Sequence, residues 1–336
     1  MSGKIITLGH GAGGETMRSF IRGLFLRHFA NPALNTLADA ALVDVDGKRL
    51  AFTTDSYVVK PLEFPGGDIG KLAVCGTVND LAVMGARPLY LSAAFIIEEG
   101  LDLALLERVV HSMAQTAGGA GVQIVTGDTK VVSRGECDGL FINTSGVGVC
   151  PLGHGLCACA IAAGDAIMVS GTLGDHGLAI LEAREHFSFK TEIPSDCAPL
   201  NGLIGDMLTA SAGVKWMRDP TRGGQAAALA ELVEGRGFGA MIHEADLPVR
   251  EEVRAVCELL GFDPMYLANE GKVVAVVEAR DAEAVLQIMR GHELGREAAL
   301  IGRITADGAG AVRVQTEAGG VRRLQRPAGE LLPRIC

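Results

Sequence analysis

Glycine is the residue that most constrains what this chain can fold into, with 45 glycines among its 336 residues. That share is well above the usual level of about 7 %. The glycines are dispersed between apolar segments and do not form a low-complexity block. Because glycine permits tight turns and close backbone approaches, this distribution is typical of an α/β protein whose sites are built from loops. Aromatic residues make up 4 % of the chain, so we expect a core of Val, Leu, Ile and Ala.

Charge and hydropathy exclude several classes of partner. The net charge of -10 argues against nucleic acid or an anionic membrane as the main partner. The start "MSGKIITLGHGAGG" lacks the apolar core of a signal peptide, and no apolar stretch approaches the ~18 residues of a membrane span. We therefore expect a cytoplasmic protein, in which the eight cysteines stay reduced.

Strand-like and helix-like patterns alternate along both halves of the chain. The first half has strand patterns at 50–59, 89–99, 122–132 and 140–150, and helical patterns at 70–85 and 101–118. A segment rich in proline and glycine follows at 151–165, and the second half repeats the mixture of strands and helices. The sequence predicts an α/β (α+β) fold with domains at 1–155 and 156–318. The last residues, 319–336, are expected to form a mobile tail.

Two short motifs carry weak signals. Gly9, Gly11 and Gly14 satisfy G-x-G-x-x-G between the strand-like "KIITL" and a helical segment. A dinucleotide site needs a second strand ending in an acid about 20 residues later, and none is convincing, so that interpretation is not favoured. Cys157 and Cys159 form a C-x-C, but too few further ligands lie nearby for a metal site.

Three aspartates interrupt otherwise apolar segments. Asp55 ends a strand pattern in "TTDSY", Asp80 lies in "GTVNDLAVMGARP", and Asp128 follows a strand pattern in "VTGDTKVV". An unpaired buried aspartate is costly, so these side chains need a partner. If they converge, they form a site of hard oxygen ligands for Mg²⁺ and phosphate. Each aspartate could equally cap a turn, and the residues alone leave both readings open.

Four further polar residues are candidates for the same chemistry. Lys130 could neutralise phosphate charge or act as a base, and Arg222 in "DPTRGG" precedes a helix start that would suit an anion. A simple helix cap is an equally good account of "DPTRGG". Glu270 in "NEGK" stands before a buried strand pattern, where it could do acid–base work. His176, in a glycine-rich turn, is better explained by a structural role.

Taken together, the motifs resemble one known family. The segments "TTDSYVVKP", "GTVNDLAVMGARP", "GDTKVV", "DPTRGG", "NEGK" and the final "PRIC" are similar to those of the HypE hydrogenase maturation factors. This family falls within the superfamily of aminoimidazole ribonucleotide synthetase, selenophosphate synthetase and thiamine-monophosphate kinase. The resemblance covers essentially the whole chain, and "PRIC" is its most specific element. A selenophosphate synthetase would carry a reactive cysteine or selenocysteine near "HGAGGETM", where this chain has none.

The resemblance implies an activity and a set of partners. Members of the family use ATP to dehydrate a carboxamide carried on the C-terminal cysteine, which becomes a thiocyanate. A HypF-type carbamoyltransferase loads the cysteine, and the cyano group passes to iron on a HypC–HypD complex for the [NiFe] hydrogenase site. The family is cytoplasmic and homodimeric, with domains of the aminoimidazole ribonucleotide synthetase type.

The resemblance also implies roles for individual residues. Cys336 is expected to be the carrier, which explains a thiol on a flexible tail. Asp55, Asp80 and Asp128 are expected to bind Mg²⁺–ATP. Lys130 and Glu270 are expected to act in the dehydration step, with Asn79 as a polar anchor. Arg222 is expected to contact the nucleotide, as is a mobile loop that contains His10 and Gly11. Which of Lys130 and Glu270 is the base stays open. The alternatives are an ATP-dependent small-molecule kinase or synthetase, which would not need Cys336, and a redox or metal protein using "CAC".

Overall fold

The computed structural model describes residues 5–151, 156–184, 191, 193–327 and 335–336. Its first half contains α1 (Glu15–Phe20), α2 (Leu26–Phe29), β1 (Ala41–Val45), β2 (Lys48–Tyr57), β3 (Glu63–Phe64), β4 (Gly67–Asp68), α3 (Ile69–Val83), β5 (Arg87–Glu98), α4 (Leu103–Ala120), β6 (Gln123–Val132) and β7 (Leu140–Cys150). A π-helical segment, Ile21–Phe25, joins α1 to α2. Strands β1, β2, β7, β5 and β6 form one sheet in that order, while β3 and β4 form a small ribbon. Only the β5–β6 pair of that sheet is parallel.

Helix α3 is the central element of the first half. The Asp68 side chain caps it by accepting hydrogen bonds from the N–H groups of Gly70 and Lys71. Nearly every residue of the helix is buried, because α3 lies between the first sheet and the second domain. Close packing requires a glycine at position 76, where a Cβ would collide with the Tyr57 hydroxyl.

The second half surrounds a seven-stranded sheet. Its elements are β8 (Ala166–Val169), α5 (Asp175–Arg184), α6 (Asn201–Ala210), β9 (Val214–Arg218), α7 (Gly224–Val233), β10 (Gly239–His243), α8 (Glu251–Leu260), β11 (Val274–Val277), α9 (Ala282–Gly291), β12 (Ala299–Thr305), β13 (Val312–Gln315) and β14 (Val321–Leu324). The strand order is β14-β13-β10-β12-β8-β11-β9. Helices α6 and α9 pack on one face of this sheet and α7 on the other. Strands β8 and β11 are therefore buried on both faces, which explains their uninterrupted apolar sequences.

The predicted α/β (α+β) class is confirmed, and the helices and strands expected in both halves are present. One expected strand is absent from the described residues: 5–7 of "KIITL" are extended without pairing, and Ile5 and Ile6 are 79 % and 68 % exposed. No helix in the described part of the chain is long and apolar enough to cross a membrane. The expected cytoplasmic location stays a prediction.

Two further expectations need correction. The segment assigned to a mobile tail from residue 319 contains β14, which pairs with β13 and extends the second sheet. The rest of that predicted tail, 328–334, lies outside the described residues. Cys157 and Cys159, expected to be reduced, are joined by a disulfide across the turn Ala158–Ala160.

Candidate active site

Three carboxylates from different parts of the chain converge where the two domains face each other. Asp39 precedes β1, Asp80 lies in α3, and Asp219 directly follows β9. One oxygen atom of each lies within 4.8 Å of those of the other two. Carboxylate oxygens at this spacing are the hard ligands that Mg²⁺ prefers. Among the described residues this cluster is the strongest candidate for a metal site.

Burial raises the pKa values of the clustered carboxyl groups, which favours the binding of a proton or a cation. Burial raises the pKa of Asp39 to about 7 and that of Asp219 to about 6. The pKa of Asp80 is also raised well above its usual value, by burial and then by the charges of Asp219 and Asp39. Arg218 Nε lies 2.9 Å from Asp39 Oδ1, but the same guanidinium also pairs with Glu231. One shared arginine does not neutralise three carboxylates, so the donor set fits a divalent cation.

Strand β2 positions two polar side chains beside the cluster. Thr53 Oγ1 lies 2.8 Å from Asp80 Oδ2 and 2.9 Å from the Asp39 carbonyl oxygen. Asp55 is two residues further along and therefore points to the same face of the strand. Burial raises the pKa of Asp55 while Arg222 lowers it, and the Asp55 charge in turn raises the pKa of Asp80. The structure thus brings together two of the three predicted metal residues, Asp55 and Asp80.

Asp128 and Lys130 lie elsewhere in the protomer. Both are on β6, at the edge of the first sheet, where Lys130 Nζ is 3.0 Å from Asp128 Oδ2 and both side chains are exposed. Strands β7 and β5 separate β6 from β2, a distance of about 14 Å at the usual spacing of strands. Asp128 therefore cannot share an ion with Asp55 and Asp80 of its own chain. Within one protomer the carboxylates that meet are those of Asp39, Asp80 and Asp219, and metal roles for Asp55 and Asp128 stay predictions.

Glu270 lies in the loop before β11 and is almost fully buried. Its Oε1 has no hydrogen-bond partner among the described residues. Burial raises the pKa of this carboxyl well above its usual value, and the neighbouring Cys197 and Asp219 raise it further. The Glu270 N–H donates to Asp196 Oδ1 over 3.0 Å, which fixes the backbone. A buried carboxyl group with a free oxygen has the properties of a catalytic acid or base.

The last two residues of the chain are docked inside the protein. Ile335 is 5 % exposed and belongs to the apolar cluster that includes Val59 and Phe64. The Val58 N–H, just after β2, donates to a carboxylate oxygen of Cys336, the last residue of the chain, over 3.2 Å. The sequence predicted a mobile carrier, whereas the structure shows its thiol-bearing end held at the carboxylate site.

The environment of the Cys336 thiol is charged. Burial raises the pKa of the thiol far above its usual value, Arg222 lowers it, and Glu270 and Asp55 raise it further. The charges of three predicted site residues, Arg222, Glu270 and Asp55, therefore act on the thiol of the predicted carrier.

Arg222 links this site to the N-terminal segment. Its Nη1 donates to the Gly11 carbonyl oxygen over 3.0 Å. Gly223 and Gly224 have φ values of 78° and 60°, so the turn that starts α7 depends on residues without a Cβ. The pKa of Arg222 is raised, chiefly by Cys336. Arg222 is therefore the positive charge that faces the thiol.

His10 and Gly11 belong to the turn Leu8–Gly11, which precedes α1. His10 Nδ1 lies 2.9 Å from Thr7 Oγ1, and the His10 ring packs edge-on against Phe20. Gly11 reaches the site through its carbonyl and Arg222. That this segment covers a nucleotide stays a prediction.

Asn79 uses its side chain to join the two domains. Its Oδ1 accepts from the Leu200 N–H, and its Nδ2 donates to the carbonyls of Ala198 and Glu270. Asn79 is fully buried. The predicted polar anchor thus holds protein backbone, and its amide has no remaining donor for a substrate.

Sequence reasoning missed two members of the carboxylate cluster. Asp219 lies in "DPTRGG", the motif that also contains Arg222, and its position directly after a strand is the available signal. Asp39, in "LADAAL", lies in a segment with no strand or helix pattern. Only the fold brings it to Asp80.

Two family descriptions match successive parts of the chain. Residues 37–150 match "AIR synthase related protein, N-terminal domain", and residues 162–315 match "AIR synthase related protein, C-terminal domain". The predicted boundary near residue 155 lies between these matches.

Relatives of known name cover nearly the whole chain. The carbamoyl dehydratase HypE of Rhodobacter capsulatus is 54 % identical over 98 % of both chains. A HypE structure solved in a HypE–HypF complex is 49 % identical, with a TM-score of 0.87 over 92 % of this chain and 100 % of that one. A HypE structure solved in complex with ATP is 48 % identical, with a TM-score of 0.82 over 99 % of this chain and 100 % of that one. The chain therefore belongs to the HypE family of carbamoyl dehydratases, within the AIR synthase superfamily.

Proposed function

We propose that this chain uses ATP to dehydrate a carboxamide on the Cys336 sulfur, giving a thiocyanate that supplies cyanide ligands for the iron of a [NiFe] hydrogenase. The observation that carries the proposal is that the Ile335–Cys336 end of the chain is docked inside the protein. There the charges of Arg222, Glu270 and Asp55 act on the Cys336 thiol. A small-molecule kinase or synthetase of the same fold has no use for a docked terminal thiol. The HypE relatives over nearly the full chain support the same activity.

The chemistry requires an activated oxygen. An amide oxygen leaves poorly, so it first attacks the γ-phosphorus of ATP, and the bond to ADP breaks. The N–H protons are then removed, the C–O bond breaks with phosphate as the leaving group, and a C≡N bond forms. The thiocarboxamide and ATP thereby become thiocyanate, ADP, phosphate and protons. The protein has to hold the triphosphate, align the amide oxygen and accept a proton.

Asp39, Asp80 and Asp219 are the residues that would hold Mg²⁺ with ATP, with Asp55 beside them. A bound Mg²⁺ would offset the charge of the phosphates. Arg222 supplies a fixed positive charge on the thiol side of the site, where it can orient an anionic phosphorylated intermediate.

Glu270 is the base we assign to the N–H proton. Its unpartnered Oε1 and its closeness to Cys336 support this role. Because burial raises its pKa, the ionised form is a stronger base than an ordinary carboxylate.

Asp128 and Lys130 act, in this proposal, in the site of a partner subunit of a homodimer. They cannot reach Asp55 and Asp80 of their own chain, as the strand order requires. The sheet face opposite α3 exposes large apolar side chains, including Phe52, Tyr90 and Ile96. A patch of this kind is typical of an interface.

A carrier cysteine requires one partner that loads it and another that accepts the product. A HypE relative was solved in a HypE–HypF complex, and we propose that a HypF-type carbamoyltransferase loads Cys336 here as well. A HypC–HypD complex would receive the cyano group.

The activity is tested by mass spectrometry of the C-terminal peptide after incubation with a HypF-type carbamoyltransferase, carbamoyl phosphate and ATP. We expect the carbamoyl adduct and then, with ATP, its dehydrated form on Cys336. A Cys336→Ala chain should fold and bind ATP but carry neither adduct. Dehydration on any other cysteine would overturn the proposal.

The shared site is tested by subunit complementation. Asp80→Asn and Asp128→Asn homodimers should both be inactive. If Asp128 serves the partner's site, a heterodimer of the two variants keeps one intact site and regains about half the activity per dimer. No recovery in a verified heterodimer would show that Asp128 does not act across the interface.

A further inference from the structure

A histidine outside the proposed chemistry contacts the end of the chain. His176, in the first turn of α5, is fully buried. Its Nε2 lies 2.8 Å from the Ile335 carbonyl oxygen, and its Nδ1 lies 2.8 Å from Ser195 Oγ. Phe64 packs edge-on against the imidazole, with ring centroids 5.6 Å apart.

These partners fix which nitrogen carries the proton. The Ile335 carbonyl can only accept a hydrogen bond, so His176 Nε2 must be the donor. Ser195 Oγ already accepts from the Cys197 N–H at 3.1 Å, so its hydroxyl is free to donate to Nδ1. Burial lowers the pKa of His176, which favours the neutral imidazole that this arrangement needs. The ring is thus set as a donor toward the end of the chain.

The contact acts on the residue next to the thiol. Ile335 precedes Cys336, and the Val58 N–H donates a hydrogen bond to a carboxylate oxygen of Cys336. The two hydrogen bonds therefore lie on either side of the Cys336 α-carbon. The Ile335 side chain fills an apolar cluster contributed by both domains. The protein therefore recognises these two residues at three points: the Ile335 carbonyl, the Ile335 side chain and a carboxylate oxygen of Cys336.

We propose that His176, oriented by Ser195, is a positioning residue that docks the Ile335–Cys336 end of the chain and so places the carrier sulfur in the active site. This inference rests on the proposed function for its purpose, although the docking itself can be tested without any turnover. His176 does not touch the reacting atoms. Its loss should release the carrier and leave the ATP site intact.

The test of docking is the rate at which iodoacetamide alkylates Cys336 in the otherwise unmodified chain, followed on the C-terminal peptide. A buried hydrogen bond of this kind is worth about tenfold in the docking equilibrium. His176→Leu should therefore raise the alkylation rate about tenfold. His243→Leu, at a half-buried histidine on β10 that pairs with Gln315, is the control and should leave the rate unchanged. Equal rates in the wild type and in a folded His176→Leu protein would overturn the proposal.

Two polar replacements separate docking from general loss of packing. The amide nitrogen of glutamine reaches about as far as Nε2, whereas that of asparagine reaches only to the position of Nδ1. His176→Gln should therefore restore much of the protection of Cys336, and His176→Asn should not. If Gln and Asn behave alike, the donor to Ile335 is not what holds the chain end.

A spectroscopic measurement avoids substitution of the buried residue. Removal of residues 335 and 336 should shift the imidazole ¹⁵N signals of His176 in an NMR spectrum, because Nε2–H loses its acceptor. Unchanged signals would overturn the proposal. With the carbamoyltransferase and ATP present, His176→Leu should slow dehydration more than loading. A wild-type chain that protects Cys336 but never dehydrates it would instead refute the proposed function and leave the docking intact.

Discussion

The side chain of Asn79, on helix α3 of the first domain, accepts a hydrogen bond from the N–H of Leu200 in the second domain over 2.8 Å. The same amide donates to the carbonyls of Ala198 and Glu270. Three backbone groups of the second domain thus depend on one side chain from the first. The contact also determines where the Glu270 loop lies relative to Asp80, the residue next to Asn79.

Replacement of Asn79 by alanine should be strongly destabilising. It leaves buried backbone groups without partners, so we expect the free energy of unfolding to fall by about 3 kcal/mol. Urea unfolding measures this loss. Gln287→Ala removes an exposed amide that pairs with Glu283 and should change stability by less than about 0.5 kcal/mol. A similar loss in both variants would contradict the role of Asn79.

The carboxylate cluster should make stability depend on pH and on Mg²⁺. The folded-state pKa values of Asp39 and Asp219, about 7 and about 6, lie above the ordinary value of 3.8. Protonation of these groups therefore stabilises the metal-free protein fully below about pH 4, and this contribution disappears as the pH rises through about 6 to 7. Because Mg²⁺ binds the ionised carboxylates, it should raise the melting temperature more at pH 8 than at pH 6.

Calorimetry at several pH values checks this prediction. Asp219→Asn should weaken both the pH dependence and the Mg²⁺ effect, since it removes one titrating ligand. A Mg²⁺ effect that is equal at both pH values would argue against the cluster as the metal site.

Asp80→Asn should abolish Mg²⁺-dependent ATP hydrolysis while the fold remains intact. The substitution removes one charged ligand and leaves an amide of the same shape next to Thr53. Asp44→Asn, at an exposed aspartate that pairs with Arg49 in the β1–β2 hairpin, is the control and should keep normal turnover. Near-normal hydrolysis by Asp80→Asn would remove Asp80 from the site.

Glu270→Gln should allow loading of Cys336 but block dehydration. Glutamine occupies the same space but cannot accept the N–H proton. Loss of a general base lowers the rate by roughly 10²–10⁴-fold. The measurement is the ratio of carbamoylated to dehydrated C-terminal peptide with time. Unchanged dehydration would transfer the role of base to another residue, and Lys130 is then the next to test.

The exposed face of the first sheet should hold the subunits together. Phe52 is 48 % exposed in the protomer and lies on β2, within that face. Phe52→Glu should therefore shift the protein from dimer to monomer in analytical ultracentrifugation at micromolar concentration. The control change Leu259→Glu, at an apolar side chain on α8 that is 68 % exposed, should leave the dimer intact. A wild-type monomer would contradict the proposed assembly.

Periodicity in the sequence was sufficient to predict most of the elements, because their burial repeats along the chain. Helix α4 and strands β2, β5 and β7 follow such patterns, whereas β6 is exposed along almost its whole length. What periodicity does not contain is the order of strands in a sheet. The sequence patterns therefore suggest that Asp128 and Asp55 share a site, although β7 and β5 lie between the strands that carry them.

The candidate site was predicted only in part for a related reason. Asp80, Asp55, Glu270 and Arg222 interrupt apolar segments or occupy turns, which a sequence displays. Asp39 has no such context, and its role depends on where β1 and α3 meet. The docking of Ile335 could not be predicted either, since its partner His176 lies 159 residues away in the chain.

The shift in the pKa of Cys336 has a consequence for the timing of the reaction cycle. Inside the site, burial keeps the unloaded sulfur protonated, and a neutral thiol is a weak nucleophile. Outside it, the sulfur regains an ordinary acidity, with a pKa near ~8.5, and can attack a carbamoyl donor. A Cys336 thiol that returns to the site without a carbamoyl group is therefore unreactive as a nucleophile. Acquisition of the group and its conversion are separated in space, and a resting molecule has no reactive sulfur beside its ATP.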